Sequence, residues 1–214
     1  MKSASPYSPA IASILPDLIR KDLRESPAVI VPSFLLAVTL FIIMQFSRDT
    51  PQAEASDFWF SFFVASSALF YRSFSLEHRS QNFALYRVAR IPLQWVFWSH
   101  TLVQCLRLSL ISGGLILCLR LFGMMSFHPF AISLAVMAAL CPFAVFLGLS
   151  LKGEKEFLFS FVYFPIATPM VLAGVSLSSE PDLRLWWTIL AAFGVGASFI
   201  AALAFQFFYD DFTS

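Results

Sequence analysis

The stretch LFYRSFSLEHRSQNFALYRVARIPLQW, residues 69–95, interrupts a chain that otherwise consists of long apolar blocks. The apolar blocks before and after it are nearly free of charge. A compact polar segment between two such blocks predicts two membrane spans joined by a structured polar connection. The charged residues of this stretch are Arg72, Glu77, Arg79, Arg87 and Arg90.

The composition of the whole chain agrees with that interpretation. Of its 214 residues 58% are hydrophobic and only 13% are charged, whereas soluble proteins carry about 25% charged residues. The net charge of +1 gives no reason to expect nucleic acid as a partner. The sequence therefore predicts an all-α integral membrane protein that forms a single transmembrane domain over residues 1–214.

Six segments are apolar for about 20 residues, the length needed for a helix to cross a bilayer. An amphipathic helix that lies in the membrane interface is predicted before the first of them, at about residues 10–26, with Pro16 near its boundary. The predicted spans are residues 28–46, 58–76, 92–121, 129–151, 157–179 and 185–209.

The distribution of Lys and Arg predicts the orientation of these spans. The N-terminal segment and the connection between the second and third spans carry four each, and the connection between the fourth and fifth spans carries two. The opposite side has three, at Arg48, Arg120 and Arg184. Because cytoplasmic connections are enriched in Lys and Arg, both termini are predicted to be cytoplasmic.

The polar stretch is amphipathic from Phe74 onward, which predicts a short helix on the cytoplasmic face. One interpretation is a plain polar loop whose basic residues fix the topology. The other is a coupling helix that docks on a cytoplasmic ATPase, because a rigid helix between two spans can transmit a push. The residues predicted to contact the ATPase are Glu77, Arg79, Gln81 and Arg87.

A second polar feature lies inside the third span, where His100, Gln104 and Arg107 are spaced by four and three and share one helix face. An arginine within a membrane costs at least ~2.5 kcal/mol, so Arg107 is expected to face protein or water. The stripe either lines an internal polar path for an anionic substrate group or bonds to neighbouring helices at an interface, and the second interpretation is favoured.

Other candidate features are weaker. Pro165 and Pro169 lie four residues apart in the fifth span and predict a kink that serves as a packing bend or a hinge. His128 is a poor candidate for a haem ligand, and the three cysteines lack the spacing of a metal site. No catalytic triad, phosphate loop or paired carboxylates are found, so a non-catalytic subunit with no directly bound cofactor is predicted.

In length, number of spans and placement of connections, the chain resembles the CcmB family of haem exporters, whose members are the membrane permeases of an ABC-type cytochrome c maturation complex. The resemblance rests on SSALFYRSFSLEHRSQNFALYRVARIPLQWVFWSHT and on GLSLKGEKEFLFSFVYFPIATPMVLAGVSLSS. The resemblance is most specific at Arg72, Phe74, Pro92, Lys152-Gly153, Pro165 and Pro169. It adds Arg72 and Phe74 to the predicted ATPase-coupling residues. An Asp-Gly usual in the family is replaced here by Ser80-Gln81.

The resemblance implies a permease of the ABC-2-like exporter architecture in the bacterial inner membrane. Its partners are a cytoplasmic ABC ATPase and other membrane proteins of the maturation complex, with a second copy of the chain as a homodimer partner. ATP hydrolysis in the partner drives release of a haem-loaded chaperone, and haem is a possible substrate. The alternatives are the permease of another ABC exporter, for lipid or polysaccharide, a gradient-driven carrier, or a structural membrane protein.

Overall fold

The computed structural model describes residues 8–47, 54–79, 93–121, 129–150 and 156–212, and the regular elements within them are all α-helices. Each of the predicted spans corresponds to one helix. In chain order these helices are α1 Ser8–Phe46, α2 Ala55–Arg79, α3 Leu93–Leu121, α4 Phe130–Ser150, α5 Glu156–Ser179 and α6 Arg184–Phe212.

All of these helices except α2 contain an apolar stretch long enough to cross a bilayer, so the protein is an all-α, multi-pass membrane protein. Helix α2 is 25 residues long but carries Asp57, Arg72 and Glu77 together with several serines, which lower its apolar character. Its crossing, and hence the count of six spans, stays a prediction, as does the side on which the termini lie. The apolar stretches are Ser26–Phe46, Gln94–Arg120, Phe130–Ser150, Leu158–Ser179 and Arg184–Ala204.

Helix α1 covers both the predicted interfacial helix, at about residues 10–26, and the first predicted span, and whether its first part lies in the membrane interface stays a prediction. It runs without interruption for 39 residues and contains Pro16, Pro27 and Pro32. A proline inside a helix removes one backbone hydrogen bond but need not end the helix when neighbouring helices hold it in place. Helix α1 packs against both α2 and α3, which supplies that support.

Helix α2 packs against four helices, α1, α3, α4 and α5. The rings of Phe58, Trp59 and Phe62 are fully buried, with Phe58 and Phe62 stacked at 6.1 Å between centroids. The Tyr163 hydroxyl of α5 lies 2.7 Å from Ser66 Oγ, which gives this buried aromatic side chain a polar partner. Four serines of α2 are buried and so face protein: Ser61, Ser66, Ser67 and Ser73.

Two glycines allow the aromatic rings of α2 to reach neighbouring backbones. A Cβ at Gly174 of α5 would lie 2.7 Å from Cε2 and Cζ2 of Trp59, and a Cβ at Gly148 of α4 would overlap the ring of Phe74. Trp59 is held in this position because its Nε1 donates a hydrogen bond of 2.8 Å to Ser178 Oγ. Close approach of rings to glycine backbones thus sets how tightly α4 and α5 pack on α2.

Candidate functional site

A cluster of buried polar side chains joins α1, α2 and α3 near one end of the bundle, where α2 ends and α3 begins. Four of its ionisable side chains belong to residues only 5% exposed, which is unusual for charged groups unless they are paired. Apart from Lys21, which is next to Asp22, the members from each helix are spaced by three or four residues and so share one face. We call this set the polar cluster; it consists of Lys21, Asp22 and Ser26 of α1, Ser73 and Glu77 of α2, and His100, Gln104 and Arg107 of α3.

The guanidinium of Arg107 is bonded to both neighbouring helices. Its Nε donates to Ser26 Oγ at 2.9 Å and its Nη2 donates to the Asp22 backbone carbonyl at 2.6 Å. Its Nη1 donates to Ser73 Oγ on α2. Ser26 Oγ in turn donates to the Asp22 carbonyl at 2.9 Å. Hydrogen bonds from a charged donor are stronger than neutral ones, so these contacts offset much of the cost of burying the guanidinium.

His100 lies between two carboxylates that come from different helices. Its Nδ1 is 3.1 Å from Asp22 Oδ2 of α1, and its Nε2 is 3.8 Å from Glu77 Oε1 of α2. The same Glu77 oxygen is 3.7 Å from Lys21 Nζ, whose side chain is 35% exposed. The Lys21–Glu77 pair therefore forms the edge of the cluster nearest to solvent, with His100 behind it.

The charges in the cluster balance closely. Two carboxylates, Asp22 and Glu77, face two permanent cations, Lys21 and Arg107. Burial by itself raises the pKa of the Asp22 carboxyl, but the hydrogen bond and charge of His100, followed by Arg107 and Lys21, outweigh it and hold that pKa below its ordinary value. Asp22 is therefore ionised at neutral pH.

Gln104 adds a neutral link between α3 and α2. Its Nε2 donates to Ser73 Oγ at 2.6 Å, so this hydroxyl accepts from both Gln104 and Arg107. The Gln104 Oε1 atom is buried and accepts no hydrogen bond from the residues that the structure describes. A small cavity of about 10 Å³, enough for roughly one water molecule, is lined by Val29, Phe74, Leu76 and members of the cluster.

The predicted site residues divide between this cluster and other places. His100, Gln104 and Arg107 lie within the cluster, and Glu77 joins them; its 5% exposure leaves little of it for an external partner. Phe74 is buried against Gly148, whereas Arg72 is exposed near the end of α2.

Other predicted residues lie elsewhere or outside the described part of the chain. Arg79 is the last residue of α2, and its side chain is outside the described part. Pro165 and Pro169 lie inside α5. The predicted ATPase contacts Gln81 and Arg87 and the haem candidate His128 lie outside the described residues.

Sequence reasoning missed the residues of α1 and the serine of α2. Asp22 is 78 positions before His100, and nothing in the local pattern pairs them. Their spacing could have indicated these residues. Asp22 and Ser26 lie four residues apart and so share a helix face, and the same holds for Ser73 and Glu77. Burying an unpaired charge is costly, so the charged residues of the polar stripe of α3 were to be expected next to groups of opposite charge on neighbouring helices.

The opposite ends of α1 and α2 are also joined by a polar contact. Gln45 Nε2 donates to Asp57 Oδ2 at 3.0 Å, and the same carboxylate oxygen accepts from the Glu54 backbone N–H at 3.2 Å, which caps the start of α2. Among the described residues no group of three or more His, Cys, Asp or Glu side chains is arranged to hold a metal ion. Known protein families give no match to this chain, and neither do curated proteins or solved structures.

Proposed function

We propose that this protein is the membrane permease of an ABC-type complex for cytochrome c maturation, and that it couples a partner ATPase to movement of its helices. The observation that supports this most is the position of the polar cluster. It bonds α1, α2 and α3 together at the end where residues 80–92 join α2 to α3. A partner that pushes on this connection acts on helices that the cluster bonds to one another.

The packing of α2 determines how such a push spreads. Glu77 lies two residues before the end of α2, and through His100 and Lys21 it contacts both α3 and α1. Further along, α2 packs against α4 and α5 through Phe74 and Trp59. Helices are stiff elements, so displacement of the end of α2 reaches most of the bundle as movement of packed bodies.

The assignment to cytochrome c maturation rests on the resemblance to the CcmB family. In this proposal the ATPase is a separate cytoplasmic protein, and the chain works in the bacterial inner membrane as a homodimer with the other membrane proteins of the complex. Haem is handled as a substrate by the assembly, and ATP hydrolysis releases the haem-loaded chaperone. The chain itself performs no covalent chemistry.

One observation favours a second candidate, an ABC exporter of lipid. An apolar groove of about 620 Å³ lies between α3, α4 and α6, with Trp98 and Trp187 among its lining residues. Its volume is within the range of sites for small molecules, and its apolar walls suit an acyl chain. The two candidates share the docking connection and differ in cargo.

The experiment that tests the coupling role replaces residues 80–91 with a Gly/Ser linker of equal length. The unaltered protein, purified in mild detergent, is expected to bring an ABC ATPase with it. The linker variant is expected to lose this partner, because the polar docking segment is gone while the cluster residues up to Glu77 remain. Formation of holocytochrome c in the same cells is expected to fail with the variant.

A matched control replaces residues 122–128, which join the other end of α3 to α4, with the same kind of linker. This control is expected to keep the ATPase. If the unaltered protein brings no ATPase, the ABC assignment is wrong. If the ATPase is lost and holocytochrome c still forms, the protein serves another ABC exporter, and lipid transport is then measured in its place.

A further inference from the structure

The two ring nitrogens of His100 both face carboxylate oxygens. Nδ1 is within hydrogen-bond distance of Asp22 Oδ2, at 3.1 Å, and Nε2 lies 3.8 Å from Glu77 Oε1. A neutral imidazole has one N–H donor and one lone pair, whereas an imidazolium donates from both nitrogens. Between these two side chains, the neutral form would place its lone pair opposite a carboxylate oxygen on one side or the other.

The charged groups around His100 come from three helices. Helix α1 contributes Asp22, with Lys21 next to it; α2 contributes Glu77; and α3 itself contributes Arg107, two turns further along. Arg107 bonds to Ser26, Ser73 and the Asp22 carbonyl, whereas Lys21 shares Glu77 Oε1 with His100. Two carboxylates and two cations thus surround His100, and an imidazolium places its positive charge between the two carboxylates.

We infer that His100 is a proton-binding site, in which an imidazolium held between Asp22 and Glu77 bonds α1 to α2 across α3. The ligand is a proton taken from water and returned to it, and no other reactant is required. The Lys21–Glu77 pair, at the more exposed edge, is the side from which water reaches the site. Release of the proton leaves a ring lone pair facing a carboxylate, which loosens the junction of the three helices. The inference rests on the cluster alone and does not depend on an ATPase partner.

Nitrogen NMR of the histidine ring tests this directly. The chain has three histidines, so the double variant His78→Gln, His128→Gln leaves His100 as the single ring signal. This variant, labelled with ¹⁵N-histidine, is measured in detergent micelles at about pH 7.5. An ordinary histidine, with a pKa of ~6.5, is roughly 10% protonated there. We expect His100 to be mostly imidazolium, with both nitrogens protonated; a neutral tautomer overturns the inference.

Two further variants, made in the same background, test the role of the carboxylates. Glu77→Gln removes the charge opposite Nε2 and is expected to return His100 to the neutral form at the same pH. Glu180→Gln changes an exposed glutamate after the end of α5 and is expected to leave the imidazolium unchanged. If Glu77→Gln and Glu180→Gln give the same protonation, Glu77 does not hold the proton and the two-carboxylate site is wrong. If Glu77→Gln does not fold, the measurement on the His78→Gln, His128→Gln protein decides by itself.

Discussion

The contact between Trp59 and Gly174 gives a sharp prediction for the substitution Gly174→Ala. The added methyl group would lie 2.7 Å from Cε2 and Cζ2 of the indole and 2.9 Å from Cδ2. Carbon atoms in contact normally stand about 3.5–4.0 Å apart, so the ring must move by roughly 0.8 Å. Trp59 is fully buried, and its Nε1 bonds to Ser178 on the same helix as Gly174, so the ring cannot move away without stretching that hydrogen bond.

Three effects set the change in the free energy of unfolding for Gly174→Ala, two of them destabilising and one stabilising. Overpacking a buried site costs about 1–3 kcal/mol, and weakening the bond from Trp59 to Ser178 costs about 1 kcal/mol. Alanine is favoured over glycine inside a helix by about 1 kcal/mol, which offsets part of this. We expect Gly174→Ala to lower the free energy of unfolding by about 1–3 kcal/mol. In a Trp59→Phe background, which lacks the two closest ring atoms, the same substitution is expected to cost less than about 1 kcal/mol.

Equilibrium unfolding by SDS in mixed micelles, followed by circular dichroism, measures all four members of this cycle. Gly196→Ala on α6 is the matched control, because nothing lies within 4 Å of a Cβ there, and it is expected to be neutral or stabilising. The reasoning is refuted if Gly174→Ala is as stable as the unaltered protein. It is also refuted if the cost of Gly174→Ala is the same with tryptophan and with phenylalanine at position 59.

Further predictions use the same unfolding assay. Arg107→Gln removes a charge with partners on two helices and is expected to lower the free energy of unfolding by about 3 kcal/mol. The control Arg184→Gln, at an exposed position, is expected to change it by less than about 0.5 kcal/mol. Similar costs for the two variants would contradict the role of the cluster. Tyr163→Phe removes the hydrogen bond to Ser66 and is expected to cost about 1 kcal/mol, and a more stable variant would show that this bond contributes nothing. Because the pKa of Asp22 is lowered in the folded protein, its carboxylate contributes fully to the free energy of unfolding above the unfolded pKa of ~3.9. This contribution is lost as the pH falls through the lower folded pKa. The stability difference between the unaltered protein and Asp22→Asn is therefore expected to shrink below about pH 4, and a constant difference down to about pH 2–3 would contradict it.

The sequence predicted the helices well because each apolar block is bounded by charged or turn-forming residues. The predicted span at 157–179, for example, corresponds to helix α5 at Glu156–Ser179. The face shared by His100, Gln104 and Arg107 was also predictable, since it depends only on the helical period. Packing against α2 and α3 supports α1 as one continuous helix through Pro16, Pro27 and Pro32.

The partners of the polar stripe could not be predicted in the same way. The Asp22–His100 contact joins residues far apart in the chain, and only the packing of α1 against α3 brings them together. Glu77 was expected to face an external partner because it lies in a polar run. The structure turns it inward, because α2 continues through Arg79 and places position 77 on the same face as Ser73.

The contacts of α2 with α5 also have a consequence for biogenesis. The partners of its polar and aromatic side chains are made much later: Trp59 bonds to a residue 119 positions further on, and Ser66 to one 97 positions further on. At a synthesis rate of about 5–20 residues per second, the ribosome needs roughly 5–25 seconds to produce them. During that interval the helix that has already been made is covered mainly by α1, and Gln45 bonds to Asp57 only 12 positions away. Contacts between α1 and α2, among them the Gln45–Asp57 bond and the Lys21–Glu77 pair, can therefore form before α5 is synthesised.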